Sequence, residues 1–233
     1  MSDPVSSYGR ETPTTRLPMF PLNAVLFPGV RLSLRVFEDR YRALVQHLLS
    51  IDDPSQRLFG TVGIREGYEV GEHGSQSLYR VGMRLQLTEV EARTDGTFVI
   101  LVLGRDRIRL DALDTSGDFP LAEVSERPTL PAEVSDDVLT HTQSVFAAYR
   151  SAVTALRGDP LTGPLPRDAD YLSWTLAAVA PLAMAERQTL LEADDSGERL
   201  ALVTEYLRAE VEAMRVIPSL PATEVARTQW SPN

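Results

Sequence analysis

The chain has 233 residues, of which 43% are apolar and 24% are charged, and its formal net charge at pH 7 is −10. A chain of this length and composition can bury a core without structural metals, and because it has no cysteine, disulfides, thiol catalysis and cysteine-ligated metals are excluded. All 23 basic residues are arginines, which also excludes a Walker A lysine, a Ser–Lys dyad and Schiff-base catalysis.

Positive charge is not concentrated in any part of the chain. Residues 1–127 carry 15 Arg and 18 acidic side chains, and residues 128–233 carry 8 Arg and 15 acidic side chains. A protein that binds nucleic acid usually presents a basic patch, so we expect no nucleic-acid partner.

Residues 1–15 are polar and have no apolar period, which predicts a disordered tail. They lack the apolar segment of a signal peptide. The longest apolar stretch, residues 176–185, is interrupted by Pro181 and is too short to span a bilayer. We therefore expect a cytoplasmic protein that does not enter a membrane.

Residues 16–127 have mainly the period of β-strands. Residues 17–22 contain two prolines, which fits an edge strand or an extended entry. An apolar helical stripe predicts one helix over residues 38–50, and Asp95-Gly96 predicts a hairpin turn. Apolar alternation or a short apolar run predicts the remaining strands at residues 32–36, 58–64, 79–92, 98–103, 108–112 and 121–124.

From Glu133 the period becomes helical. Four helices are predicted: one with its stripe over residues 138–156, one over 171–180 capped by Asp170, a short one beginning at Pro181, and one over 197–215. The chain therefore divides into a β-rich part at 16–127, a helical bundle at 133–215 and a loose tail at 216–233.

Several short sequence motifs follow one another along residues 16–215. The runs LPMFPL at 17–22, VLFPG at 25–29 and RVFEDRY at 35–41 open the series. FG at 59–60, YRVG at 79–82, DG at 95–96, GRDRIR at 104–109, ERQTLLE at 186–192 and RL at 199–200 with Leu207 and Glu210 continue it. Over residues 16–215 this series resembles the amino-terminal, substrate-binding domain of the Lon proteases.

This resemblance implies an α+β fold, in which a PUA-like, β-rich amino-terminal subdomain with one helix precedes an all-helical carboxy-terminal subdomain. In Lon these parts recognise unfolded or degron-bearing proteins, and ATPase and protease domains follow. This chain ends at Asn233, before either would begin. We therefore expect a stand-alone, non-enzymatic module without a cofactor. Its partner would be an unfolded or degron-bearing polypeptide or another protein, and its role that of an adaptor or scaffold in protein quality control.

Two other functions stay open. PUA-like folds include RNA readers, although the acidic balance of both halves argues against RNA binding. A cleft between the sheet and the helical half could hold a small molecule or a hydrolytic site. No G-x-S-x-G nucleophile motif occurs in the chain, which makes a hydrolytic site the least favoured of these functions.

The chain departs from the family pattern in the 186–192 motif, where Arg187 stands in place of the family's usual Lys.

A protein-binding module should expose an apolar patch or groove. Apolar residues in turns and loops are candidates, because no packing obviously requires them there. Met83 joins them, since methionine adapts to varied ligands. The predicted patch consists of Leu22, Phe27, Tyr68, Leu78 and Met83.

Residues 37–41 form the most recognisable motif, and we interpret it as scaffold. Phe37 and Tyr41 lie one helical turn apart, so both should pack the predicted helix on the sheet. Glu38 and Arg40 are placed for a local ion pair. The three histidines, His47, His73 and His141, lack the spacing of metal ligands, so no metal site is expected.

Arg105, Arg107 and Arg109 alternate along a predicted strand and should share one face. They could bind an anion or a peptide carboxylate. They could instead form a solvated face, balanced by Asp106 and Asp111 or paired across strands with Glu89 and Glu91. We favour the solvated face.

Overall fold

The computed structural model describes residues 14–65, 78–157, 160–161 and 163–216. Strands occupy the first half of the chain and all but one of the α-helices occupy the second. The strands are β1 Thr14–Pro18, β2 Arg31–Val36, β3 Leu58–Ile64, β4 Leu78–Ala92, β5 Phe98–Asp114 and β6 Leu121–Glu126. The helices are α1 Asp39–Leu49, α2 Asp136–Arg157, α3 Ala169–Val179, α4 Met184–Glu192 and α5 Ser196–Val216, with a short 3-10 turn at Pro54–Gln56.

The six strands form one antiparallel sheet in the order β1-β6-β5-β4-β3, and β2 pairs with the first part of β5. Just after β1 the chain runs beside β3, where the Phe20 N–H donates to the Gly60 carbonyl at 2.9 Å and the Ile64 N–H to the Leu22 carbonyl at 3.0 Å. The two ends of the sheet therefore meet. Gly60 permits this approach, because a Cβ there would collide with the Met19 sulfur.

The closed sheet surrounds a small apolar interior, to which five of its strands and the segment after β1 contribute. Its buried residues are Leu17, Met19, Val62, Ile64, Leu78, Ile108, Leu110, Ala122 and Val124. This interior is separate from the larger core, in which the opposite face of the sheet meets the helices. β5 contributes to both, with Ile100 and Val102 in the larger core and Ile108 and Leu110 in the interior.

The larger core is continuous between the two halves of the chain. It contains Phe59 and Met83 from the strands, Leu44 from α1, and Leu190 and Val203 from the later helices. Each of these side chains is fully buried. The helical half therefore packs directly on the sheet.

The predicted element types are confirmed, with differences at particular residues. β1 begins at Thr14 and pairs with β6, so the prediction of a disordered tail is wrong for residues 14 and 15. α5 extends to Val216, the first residue of the predicted carboxy-terminal tail. The remaining tail residues, 1–13 and 217–233, lie outside the described part. The α3 cap is Asp168, whose carboxylate accepts the Tyr171 N–H at 2.8 Å, and Asp170 instead pairs with Arg199 at 3.1 Å. Pro181 precedes α4 by three residues and does not begin it.

Candidate functional site

Three of the five residues predicted to form an exposed patch are buried. Phe27 and Met83 have no exposed surface, and Leu78 is 5% exposed, so the prediction of exposure is wrong for them. Phe27 lies below the Arg187 guanidinium and near the Trp174 ring, Met83 lies in the core between sheet and helices, and Leu78 points into the closed sheet. Leu22 is half-buried, and Tyr68 lies outside the described residues.

Leu22 lies at an open apolar depression, which we call the β2 groove. It runs between β2 and the segment formed by residues 20–26. It consists of two cavities of about 240 and 250 Å3 that share Asn23. Its walls are mainly apolar and include Leu22, Val25, Leu26, Leu32, Leu34, Phe37 and Met184.

Phe37 is the most exposed side chain of the groove, with 64% of its surface accessible. The prediction that it packs α1 on the sheet is wrong. Glu38 is the N-cap residue of α1 and has extended backbone dihedrals, so Phe37 precedes the helix and is not on its apolar stripe. The sequence signal that could have revealed this is the acidic pair Glu38-Asp39, which is typical of a helix start and places Phe37 before the helix.

Tyr41 does pack as predicted. Its ring stacks on Phe20 with centroids 4.0 Å apart, and burial raises the pKa of its hydroxyl. Arg40 lies over the same ring at 4.7 Å and bonds the Glu38 carboxylate at 2.7 Å, which confirms the expected local ion pair. The floor of the groove at this end is therefore held in place by aromatic stacking.

A separate cavity, of about 520 Å3, lies where the sheet meets α3; we call it the interlobe cleft. The small-molecule hypothesis requires a cavity at this position. Its aromatic side chains are Trp174 and the exposed Tyr171. Its acidic groups already have partners, because Asp106 and Glu126 pair with Arg84 at 3.5 and 3.7 Å. The Asp170 pair with Arg199 and the helix cap at Asp168 complete this set.

Arg107 lines the cleft but is only 4% exposed. An extra residue in β5 opposite Arg84 breaks the alternation between Arg105 and Arg107. Arg107 and Arg109 follow in unbroken register opposite Met83 and Val81 and so share one face, where the end of α4 covers Arg107 and leaves Arg109 exposed. Neither the predicted anion site nor the solvated face describes Arg107. The alternative pairing with Glu89 and Glu91 is wrong as well, since these residues lie opposite Leu101 and Val99.

Three arginines converge on the end of α4. Arg107 donates to the Leu191 carbonyl at 2.8 Å and to the Ala193 carbonyl at 2.6 Å. Arg127 donates to the Glu192 carbonyl at 2.8 Å, and Arg199 to the Leu190 carbonyl at 3.3 Å. A helix C-terminus leaves its last carbonyls without helical partners and carries partial negative charge. The three guanidinium groups donate hydrogen bonds to these carbonyls, and their positive charge compensates the partial negative charge of the helix end.

Arg199 is fully buried against the Trp174 ring, with its guanidinium carbon 3.3 Å from the ring centroid. Burial first, and then the charge of Arg107, lowers the pKa of Arg199 to about 10. The pKa of Arg107 is lowered by burial and by the nearby Arg127. Both side chains remain charged at neutral pH, so their hydrogen bonds to carbonyls are of the stronger, charge-assisted kind.

The motif at residues 186–192 also joins the two halves. Glu186 accepts the Ala183 N–H at 2.9 Å at the start of α4. Arg187 donates to the Val25 carbonyl at 3.1 Å, and Gln188 donates to the Val81 carbonyl of β4 at 3.0 Å. The motif is therefore a structural one, which fixes α4 on the sheet.

A family model described as the ATP-dependent protease La (LON) substrate-binding domain matches residues 16–209. The chain belongs to the Lon substrate-binding domain family. Lon protease 2 of Herpetosiphon aurantiacus is 29% identical to it over 213 residues, and Lon protease of Escherichia coli is 28% identical over 205 residues. These segments are 87% and 86% of this chain but 25% of each relative, so the chain spans about a quarter of the length of the curated Lon proteases.

Two solved structures have a similar fold. The Lon N-terminal domain protein from Xanthomonas campestris has a TM-score of 0.60 and 25% identity, and the match covers 82% of this chain and 98% of that one. The N-terminal domain of the Mycobacterium avium complex Lon protease has a TM-score of 0.56 over 83% of this chain and 98% of that one. At 19% identity, the second shows the fold alone.

The described part of this Lon-family domain contains neither a metal-binding cluster nor a membrane-spanning helix. In residues 14–65, 78–157, 160–161 and 163–216 no cluster of His, Asp and Glu is arranged to hold a metal ion. His47 lies beside the Phe119 ring and His141 is 2.7 Å from Arg208. No helix within these ranges is long and apolar enough to cross a bilayer.

Proposed function

We propose that this domain is a non-enzymatic module that binds unfolded or degron-bearing polypeptide in the β2 groove, as an adaptor or scaffold in protein quality control. The observation that carries the proposal is the exposure of Phe37, whose ring is 64% accessible beside half-buried Leu22 and Leu34. A folded protein offers few such contiguous apolar surfaces. An unfolded chain presents the apolar side chains that could cover it.

The polar contacts of the interlobe cleft support the non-enzymatic part of the proposal. General acid–base catalysis needs a carboxylate or histidine free to exchange a proton with a substrate. The cleft carboxylates instead neutralise arginines or cap α3. The closed sheet with one helix after β2 supports a PUA-like classification of the β-rich half.

The proposal predicts that Phe37→Ser weakens binding of an unfolded polypeptide. The expected loss is about tenfold in Kd, or about 1.4 kcal/mol, because a solvent-exposed aromatic anchor is removed. Fluorescence anisotropy with a labelled model polypeptide that is kept unfolded by chemical modification measures this loss. The unmodified, folded form of the same polypeptide should not bind.

Tyr171→Ser is the matched control, because Tyr171 is 65% exposed but lies in the interlobe cleft. It should leave the Kd unchanged. A loss of binding in Tyr171→Ser but not in Phe37→Ser would move the site to the cleft. Binding of single-stranded RNA at low salt, with none of unfolded polypeptide, would replace this proposal with RNA recognition.

A further inference from the structure

Strand β2 has one free edge among the described residues. It pairs only with β5, in register from Arg31 opposite Leu103 to Val36 opposite Phe98. The bonding pattern starts where the Gly104 N–H donates to the Val30 carbonyl at 2.9 Å. In an antiparallel pair only alternate residues bond to the partner strand. Val30, Leu32, Leu34 and Val36 therefore face β5, and Arg31, Ser33 and Arg35 direct their N–H and C=O groups away from it.

The free edge borders the β2 groove. Leu32 lines one cavity of the groove and Leu34 the other. Among the described residues β2 pairs with no strand but β5, and no backbone hydrogen bond outside the strand ladders involves Arg31, Ser33 or Arg35. An open edge beside an apolar groove is the arrangement in which a peptide can be added as an extra strand.

The side chains of β2 alternate between two environments. Leu32 and Leu34 are half-buried and line the groove, whereas Arg31, Ser33 and Arg35 alternate with them and are exposed. Arg35 also borders the cavity that contains Phe37. Arg35 makes one exposed ion pair with Asp95 at 3.3 Å, and Arg31 makes none with the described residues. An added strand would alternate in the same way, with every second side chain over the groove and the others beside the two arginines.

We propose that the groove takes polypeptide as an extended strand paired with the free edge of β2, and that it selects segments in which apolar and acidic residues alternate. This inference rests on the proposed function and specifies its substrate. The backbone groups of Arg31, Ser33 and Arg35 supply the pairing. The groove receives the apolar side chains, and the Arg31 and Arg35 guanidiniums attract the acidic ones.

Ser33→Pro tests the backbone pairing. Proline removes the Ser33 N–H and places its ring at the free edge, but the bonds from β2 to β5 are kept, because residue 33 does not take part in them. With a labelled decapeptide of alternating Val and Glu as the probe, Ser33→Pro should raise the Kd about tenfold or more. Ser33→Ala, which keeps the N–H, should bind like the unmodified protein.

A second measurement uses only the unmodified protein, and so does not depend on the folding of a variant. N-methylation of alternate amides in the decapeptide should abolish binding in one of the two alternating patterns and spare the other. Equal Kd values for both patterns, or for Ser33→Pro and Ser33→Ala, would overturn strand addition. Failure of unfolded polypeptide and decapeptide alike to bind would instead overturn the proposed function.

The charge preference has its own test. Because the chain carries a net charge of −10, non-specific attraction would favour a decapeptide of alternating Val and Lys. The proposal expects the Val–Glu peptide to bind about tenfold more tightly at low salt, and expects Arg31→Glu to remove that preference. A preference for the Val–Lys peptide in the unmodified protein would overturn the charge selection.

Discussion

Replacing Arg107 with alanine is expected to lower the free energy of unfolding by about 3–5 kcal/mol. The side chain donates to the carbonyls of Leu191 and Ala193 at the end of α4 and to that of Pro128 at 3.1 Å. Alanine would leave these carbonyls without their donors and open a cavity between sheet and helices. Chemical denaturation followed by circular dichroism measures the loss.

Arg105→Ala is the control for this prediction. Arg105 is an exposed neighbour on the same strand, and its replacement should change the free energy of unfolding by no more than about 0.5 kcal/mol. Arg107→Lys should fall between the two, because an ammonium group keeps the charge but cannot match the planar fork of the guanidinium. Coincident denaturation midpoints for Arg105→Ala and Arg107→Ala would contradict the structural role of Arg107.

Phe27→Ala is expected to cost about 3–5 kcal/mol as well, but by loss of packing. The ring has no exposed surface and lies 5.8 Å from the Trp174 ring and 4.7 Å from the Arg187 guanidinium carbon. Removal of the ring leaves a void where the helical half meets the turn before β2. Thermal unfolding gives the loss of stability, and the Kd for unfolded polypeptide, measured where the variant is still folded, should not change.

Leu22→Ala separates packing from binding. Leu22 is half-buried at the groove, so its truncation should cost only about 1 kcal/mol of stability while weakening the binding of unfolded polypeptide. If Phe27→Ala kept its stability and lost binding instead, Phe27 would be a binding residue, as its position in the sequence first suggested.

The sequence predicts elements well where a local period determines them. The apolar run at residues 58–64 predicts a strand, and β3 occupies those residues; the stripe from Val138 correctly predicts a long α2. The start of β1 was missed because Thr14 and Thr15 are ordered by pairing with β6, a partner more than 100 residues away along the chain. No local sequence pattern predicts such a distant pairing.

The candidate site was harder to predict because burial depends on distant contacts. Phe27 follows a short loop and precedes a Pro-Gly turn in which Gly29 has a φ of +76°, so it looks like a loop residue until α3 and α4 cover it. Arg107 shares a face with Arg109, and it is buried because the end of α4, 84 residues further along the chain, covers it. The free edge of β2 follows from the order of the strands, which neither composition nor spacing contains.

The arginines at the end of α4 bear on how the domain can be divided. They come from β5, from the residue after β6 and from α5, and all donate to residues 190–193. A fragment that ended with the β-rich half would carry Arg107 and Arg127 without these acceptors and would expose the shared core to water. Cutting the chain between β6 and α2 therefore gives no autonomous folding unit, and the domain is expected to unfold as one cooperative block.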